Sequence, residues 1–404
     1  MYNLHLSAEQ LEIRDTVRAF VAQEIKPFAE RPERMESLDR SLAPQNLDRA
    51  SQMGLRALAL SEDAGGAGGD GLTACLVAEE LAFGDPDLAA TLAETALLVR
   101  LFEQWMTPAQ RDRFLPAFLD DDRFHLALAD REPGGETALG VNYHRPERGE
   151  AAPRTTAVRS GSQWVVNGSK DCVANAPLAK LFAVTVQTDA GVRTLLLPHD
   201  TPGLTVRAYE SAGARYHGAC GEVAFADCRV GADQVLAADD AAYRARRATQ
   251  LAAINLGIGR AAHEAALGYA QLRVQGGRRI VEHQAIAQKL ADTAITLQVA
   301  RTAVWQAAWA LDHPDAQADR SLADLPLHTI ARAFTAEAVY RAAKDCAECF
   351  GAMGVMRDMP LQKYIQDARI CLHAGEGVSD AKLDLAEALV GYRRFPAAAA
   401  RAAE

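Results

Sequence analysis

Aromatic side chains make up only 6% of this 404-residue chain, so aromatic stacking is not its main packing device. No apolar run approaches the roughly 20 residues needed to cross a bilayer, and residues 1–15 lack the basic-then-apolar pattern of a secretory leader. Excess positive charge is missing too: a net charge of -10 argues against a nucleic-acid binder with a broad basic face, but leaves room for a local phosphate-holding patch. The 7 cysteines are scattered and odd in number, which suits a reducing, cytoplasmic setting better than a disulfide framework. Cys346 and Cys349 form a lone CxxC in a helical pattern and read as two small residues on one helix face, not as a metal or redox site. Ser61 to Gly69 is a glycine-rich loop with no following Gly-Lys-Ser/Thr, so it is not a phosphate loop.

What is present is a chain of ordinary soluble composition, 49% hydrophobic and 24% charged, rich in helix-favouring alanine. Three textures follow one another. Residues 1–122 read as helical: Ser7 and Gln10 can form a capping box, Leu11, Val17, Phe20 and Val21 share a side, Pro27 and Pro32 are expected to break that helix, and Leu72 to Phe83 resumes one. Residues 123–236 read as short strands between turns, among them Thr155 to Arg159 and Trp164 to Val166 around a Ser160–Gln163 hairpin turn, then Leu181 to Val186, Arg193 to Leu197 and Glu222 to Phe225. That spacing suggests a small antiparallel barrel or sandwich. Residues 237–404 return to helix. Leu251, Ile254, Ile258, Ala261, Ala265, Tyr269 and Leu272 step by three and four, Ile286 to Leu311 by four and seven, and two further helices cover Ile330 to Cys349 and Ala381 to Leu389. The fold class expected is α+β and multidomain, with an N-terminal helical domain, a middle β domain and a C-terminal four-helix bundle.

Short motifs in register carry a more specific expectation. Glu132-Pro133-Gly134, Asn167-Gly168-Ser169-Lys170, Gly213-Ala214-Arg215 with Glu222 to Val230, Arg273-x-x-x-Gly277-x-x-Ile280-x-x-x-Gln284, Phe350-Gly351-Ala352-Met353-Gly354 and Gln366-Asp367-Ala368-Arg369-Ile370 occur in that order. Together they resemble the acyl-CoA dehydrogenase family over nearly the whole chain. The resemblance implies FAD between the β domain and the bundle, a carboxylate that takes the proton next to a thioester carbonyl, hydride transfer to the flavin, and hydrogen-bond donors for the enolate charge. It implies an acyl-CoA or acyl-carrier thioester substrate and an electron-transfer flavoprotein as acceptor. It also implies a homotetramer, or a heteromer with a paralogue, because the family arginine matched by Arg273 reaches the FAD of a neighbouring subunit. Gln284, Glu348, Gly351 and Ala352 fall at the other cofactor positions of the bundle, and Arg131, Thr137, Cys172 and Ala174 at those of the β domain.

Departures from the family pattern cluster at the flavin. Arg131 stands for a hydroxyl residue, Cys172 for an aromatic, Ala174 for a threonine and Gly276 for a phenylalanine, while Glu348 replaces a glutamine and brings a negative charge towards the cofactor phosphates. The family base aligns with Gly375, next to the substrate, and Glu376 follows it. Glu376, flanked by Gly375 and Gly377, is either the base after a one-residue loop shift or a solvent-facing loop residue. The alternative base position of some family members falls on Arg247, which can hold a phosphate or a substrate carboxylate, or belong to a solvated helix start at Arg244 to Arg247. Three readings stand: an FAD-dependent dehydrogenase of acyl thioesters, a non-catalytic or half-catalytic subunit of such an enzyme, and a base-less flavin enzyme of the same fold.

Overall fold

The structure, a computed structural model, describes residues 5–31, 42–133, 153–209, 217–314, 325–356, 358–374 and 377–390. Among the described residues, the helices of nine or more residues before the sheet are α1 (Ala8–Phe20), α2 (Pro44–Gln52), α3 (Gly71–Gly84), α4 (Pro86–Trp105) and α5 (Pro108–Asp120). The Ser7–Gln10 capping box closes at both ends, with Ser7 N donating to Gln10 Oε1 at 3.0 Å and Gln10 N donating to Ser7 Oγ at 3.1 Å. Pro27 does not break the first helix as the sequence suggested. A π-turn at Val21–Ile25 lets the chain run on through Lys26–Ala29, because the wider turn needs no N–H from the proline.

The middle region is one eight-stranded sheet made of β1 (His125–Ala129), β2 (Thr156–Ser160), β3 (Gln163–Ala174), β4 (Ala179–Thr188), β5 (Gly191–Pro198), β6 (Leu204–Ala208), β7 (Cys220–Gly231) and β8 (Val235–Leu236). The order is β6-β7-β3-β2-β4-β5-β8, with β1 beside β4. Most neighbours are antiparallel, but β1 and β2 each pair with β4 in parallel. All five residues of β1 are buried, since the strand lies between α4 and the sheet core around Phe182, Leu195 and Leu197. That burial fixes where the chain leaves β1, at Asp130 to Pro133.

Beyond the sheet come α6 (Asp240–Leu272), the hairpin β9 (Val274–Gln275) and β10 (Arg278–Arg279), then α7 (Gln284–Asp312), α8 (Leu327–Cys349), α9 (Leu361–Cys371) and α10 (Val378–Val390). The 33-residue α6 is the axis of the molecule and packs on α3, α4, α7, α8 and α9. Gly257 permits its contact with α3, because a Cβ there would lie 2.3 Å from the Glu79 carbonyl oxygen. Ile254, Ile258 and Ala261 of the expected stripe are buried, but Leu272 is 82% exposed, since the helix end runs past its neighbours. Ion pairs on two buried carboxylates fix the docking. Glu79 and Glu80 on α3 hold Arg260 of α6, Glu79 also holds Arg301 of α7, and Glu80 holds Arg18 of α1. His217, before β7, spans three elements: Nδ1 lies 3.1 Å from Asp87 Oδ1 and Nε2 3.0 Å from the Asp367 carbonyl oxygen. Cys346 and Cys349 are buried in α8, and all seven cysteines are free. Among the described residues no helix is long and apolar enough to cross a membrane.

Candidate active site

Two of the sequence motifs meet at the exit of β1. Lys170, with a fully buried side chain, donates from Nζ to Glu132 Oε1 at 2.6 Å and to the Asp130 carbonyl oxygen at 3.1 Å. Glu132 also accepts from Thr155 N at 3.3 Å. Burial opposes the Glu132 charge, but the hydrogen bond and charge of Lys170 together with the hydrogen bonds from Thr155 outweigh it and hold the carboxyl below its ordinary range. The segment Asp130–Glu132 is thereby clamped against β3, and Arg131 accepts from Asp171 N through its carbonyl at 2.9 Å. On β3, Cys172 has a positive φ of 54° and donates from its N–H to the Tyr209 hydroxyl at 3.2 Å. Ala174 pairs in register with Cys220 of β7, and with no side-chain hydroxyl it leaves only backbone donors at that position.

Arg247 enters the same region from α6. Its Nε lies 3.3 Å from Glu94 Oε2 on α4, and Tyr243 donates its hydroxyl to Glu94 Oε1 at 2.5 Å. Burial works against the Arg247 charge, but Tyr243, Glu94, Asp130 and Cys220 favour it and raise its pKa further. The start of α6 is therefore not a solvated basic face: Arg247 is paired with Glu94, and Arg246 with Asp312 at 2.7 Å. Arg332 approaches from α8. It is 3% exposed, and its Nη2 donates to the Cys371 carbonyl and to the Ala374 carbonyl, the latter at 2.8 Å. Burial depresses its pKa, and the Arg247 charge acts in the same direction. Gly377, on the far side of the loop, donates from its N–H to Asp380 Oδ2 at 3.2 Å. Gly375, Glu376 and Thr137 lie outside the described residues.

The remaining predicted residues gather elsewhere. Arg273 caps α6 and is exposed, Gln284 starts α7 and is exposed, and Glu348, Gly351 and Ala352 are exposed at the end of α8. Tyr269 stacks on Phe350 at 4.1 Å and brings these ends together. Arg247 and Arg273 stand 26 residues apart along α6, about 39 Å at the helical rise. Glu348 does not bring an unbalanced negative charge, because Lys289 holds it at 2.5 Å. Arg273, Arg278 and Arg279 flank the β9–β10 hairpin without an ion pair among the described residues, and Gly351 takes a positive φ of 56° that bares its backbone. Three unpaired arginines beside an open glycine turn fit a pyrophosphate, so the chain suits a dinucleotide cofactor at this end.

Glu94 and Arg332 escaped the sequence reading. The available signal was one charge inside an apolar helical run, Leu92-Ala93-Glu94-Thr95-Ala96-Leu97 and Ile330-Ala331-Arg332-Ala333.

Residues 7–122 match the N-terminal domain of acyl-CoA dehydrogenases, residues 149–228 the middle domain and residues 244–389 the C-terminal domain. A probable acyl-CoA dehydrogenase of Bacillus subtilis is 29% identical over 396 residues, covering 94% of this chain and 97% of its own. The short-chain specific acyl-CoA dehydrogenase of rat mitochondria is 26% identical over 370 residues, covering 89% and 84%. The butyryl-CoA dehydrogenase structure from Megasphaera elsdenii superposes with a TM-score of 0.83 at 24% identity, over 96% of this chain and 100% of its own. The chain belongs to the acyl-CoA dehydrogenase family, FAD-dependent oxidoreductases that act on the CH–CH bond of acyl-CoA thioesters.

Proposed function

We propose that this chain carries out α,β-dehydrogenation with Glu376 as the base that takes the proton beside the thioester carbonyl of a CoA or carrier-protein substrate. The observation that carries this reading is the anchoring of Ala374. Arg332, a buried guanidinium within the field of Arg247, holds its carbonyl, so the chain is pinned there two residues before Glu376. Bound FAD supplies the hydride acceptor. Arg131, Cys172 and Ala174 would line the ring side, with Thr137 beyond the described residues. Arg273, Gln284, Glu348, Gly351 and Ala352 would hold the phosphate and adenine side. Gly375, also outside the described residues, would sit beside the substrate.

The separation of about 39 Å between Arg247 and Arg273 exceeds the reach of one dinucleotide, so the Arg273 group serves the cofactor of another subunit. This supports an oligomer, a homotetramer or a heteromer with a paralogue. An electron-transfer flavoprotein is the proposed electron acceptor, and seven free cysteines support a cytoplasmic location. Residues 122/123 and 236/237 are the proposed unit boundaries.

Anaerobic mixing of the flavin-loaded protein with a panel of acyl-CoAs tests the reading. Bleaching of the flavin that disappears in Glu376→Gln supports it, and bleaching that survives this change assigns the base elsewhere. The missing side-chain hydroxyl at Ala174 favours a second reading, a supporting subunit or a base-less flavin enzyme, and absence of bleaching with every acyl-CoA would select it.

A further inference from the structure

Three strands present one row of side chains beside Cys172. Tyr209 continues β6 and donates its N–H to the Cys220 carbonyl oxygen at 3.0 Å, and Cys220 pairs in register with Ala174 of β3. One step along, Ala208 pairs with Gly221 and Gly221 with Val173, which is 2% exposed and belongs to the sheet core around Phe182. Side chains alternate across a strand, so Tyr209, Cys220 and Ala174 point away from that core, onto one face. The Tyr209 hydroxyl accepts from Cys172 N at 3.2 Å and donates to Asp171 Oδ1, so the phenol crosses β7 and ends on β3. Cys172, Ala174 and Cys220 are small, and Tyr209 brings a ring to their row. All four are only half-buried, so the row is a partly open surface. A ring fastened at its hydroxyl has little rotameric freedom left to lose, so an aromatic ligand stacks on it at low entropic cost. The hydrogen bond to the Asp171 carboxylate enriches the phenol in electrons, which suits an electron-poor conjugated ring.

We propose that the Tyr209 phenol packs against the isoalloxazine ring of FAD and forms the aromatic wall of its site. The inference rests on the placement of Cys172 and Ala174 at the ring side, and it adds a residue that lies outside the sequence motifs. The test is titration of the flavin-stripped full-length chain with FAD, followed by flavin emission, in wild type, Tyr209→Leu and Tyr209→Phe. Tyr209→Leu should weaken FAD binding about 2- to 10-fold, the worth of an aromatic pair. Tyr209→Phe keeps the ring without the hydroxyl and should retain most of that affinity. A stacked phenol quenches emission by giving an electron to the excited flavin and taking it back, which neither leucine nor phenylalanine does. Bound flavin should therefore be several-fold brighter in both variants. Unchanged emission in both overturns the inference, and any loss of affinity then marks Tyr209 as a fastener of β3 alone. Should Tyr209→Leu fail to fold, the emission of Tyr209→Phe decides by the same rule. Ala174→Trp tests the placement itself, because bulk at that position should block FAD uptake. Uptake unchanged in Ala174→Trp overturns the placement and this inference together. Uptake blocked there, with emission unchanged in the Tyr209 variants, overturns this inference alone.

Discussion

Lys170 donates to Glu132 at 2.6 Å from a side chain with no exposed surface, joining two segments 38 residues apart in the chain. The pair fixes the path of Asp130 to Glu132 as it leaves β1, and the Asp130 charge on that segment acts on Arg247. Lys170→Met should strand Glu132 and lower stability by about 3 kcal/mol, the cost of breaking a buried pair from one side. Urea unfolding followed by fluorescence checks this. The pH response gives a second readout. The folded-state pKa of Glu132 is lowered, so its contribution is present above the unfolded value of about 4.3 and is lost as pH falls through the folded value. The difference in stability between wild type and Lys170→Met should therefore shrink as the solution is acidified below about pH 4.3. A difference that stays constant there contradicts the assignment.

His217 predicts the opposite slope. Its Nδ1 faces a carboxylate and its Nε2 a carbonyl, so both nitrogens must donate and the ring is an imidazolium. Burial opposes that charge, but the Asp87 and Cys371 interactions outweigh it and push the pKa up to about 10. A raised folded-state pKa gives stability that is fully present below the unfolded value of about 6.5 and is lost as pH rises through the folded value. Thermal melting between pH 6.5 and 10 should show a progressive fall in Tm that His217→Gln flattens. An unchanged slope in the variant would exclude His217 as the cause.

Arg332 bears on catalysis through position. It ties the end of α9 to α8 by two carbonyl contacts, and Glu376 lies two residues beyond the second. Arg332→Met should lower kcat by about 100-fold, the effect of a misplacement near 1 Å at a reacting centre, with a smaller change in KM. Arg332→Lys should recover part of kcat, because an ammonium can still reach one carbonyl. A proportional rise in KM at constant kcat would instead mark Arg332 as a substrate contact.

The helix–sheet–helix order was legible because the apolar period changes from three-and-four to alternation and back, as at Ile254 to Ala261 against Val184 and Val186. The motif residues Glu132 and Lys170 were legible, but their pairing was not, since nothing local links positions 38 residues apart. Pro27 misled because its helix-breaking rule assumes an α-turn, and a π-turn precedes it. Glu94 and Arg332 were hidden for a different reason. Helical spacing reports which face a charge occupies, but the partner that makes burial tolerable comes from another helix. The parallel pairing of β1 with β4 was equally non-local: it depends on the placement of α4, which the alternation of apolar residues in β4 does not encode.

Arg273 separates cofactor binding from folding. It is exposed and makes no ion pair among the described residues, so Arg273→Ala should change the stability of the cofactor-free protein by no more than about 0.5 kcal/mol. If Arg273 holds the pyrophosphate of a neighbouring subunit, the same change should weaken FAD retention about tenfold or more, the loss expected for a hydrogen bond between charged groups. Gel filtration with flavin absorbance measures retention, and light scattering on the same column gives the subunit number. The expected result is an oligomer of unchanged size that has shed its flavin. Full retention of flavin would mean that Arg278 and Arg279 carry the phosphate contact. A monomeric wild-type protein would contradict cross-subunit binding altogether, because about 39 Å separates Arg273 from Arg247 at the other end of its own helix.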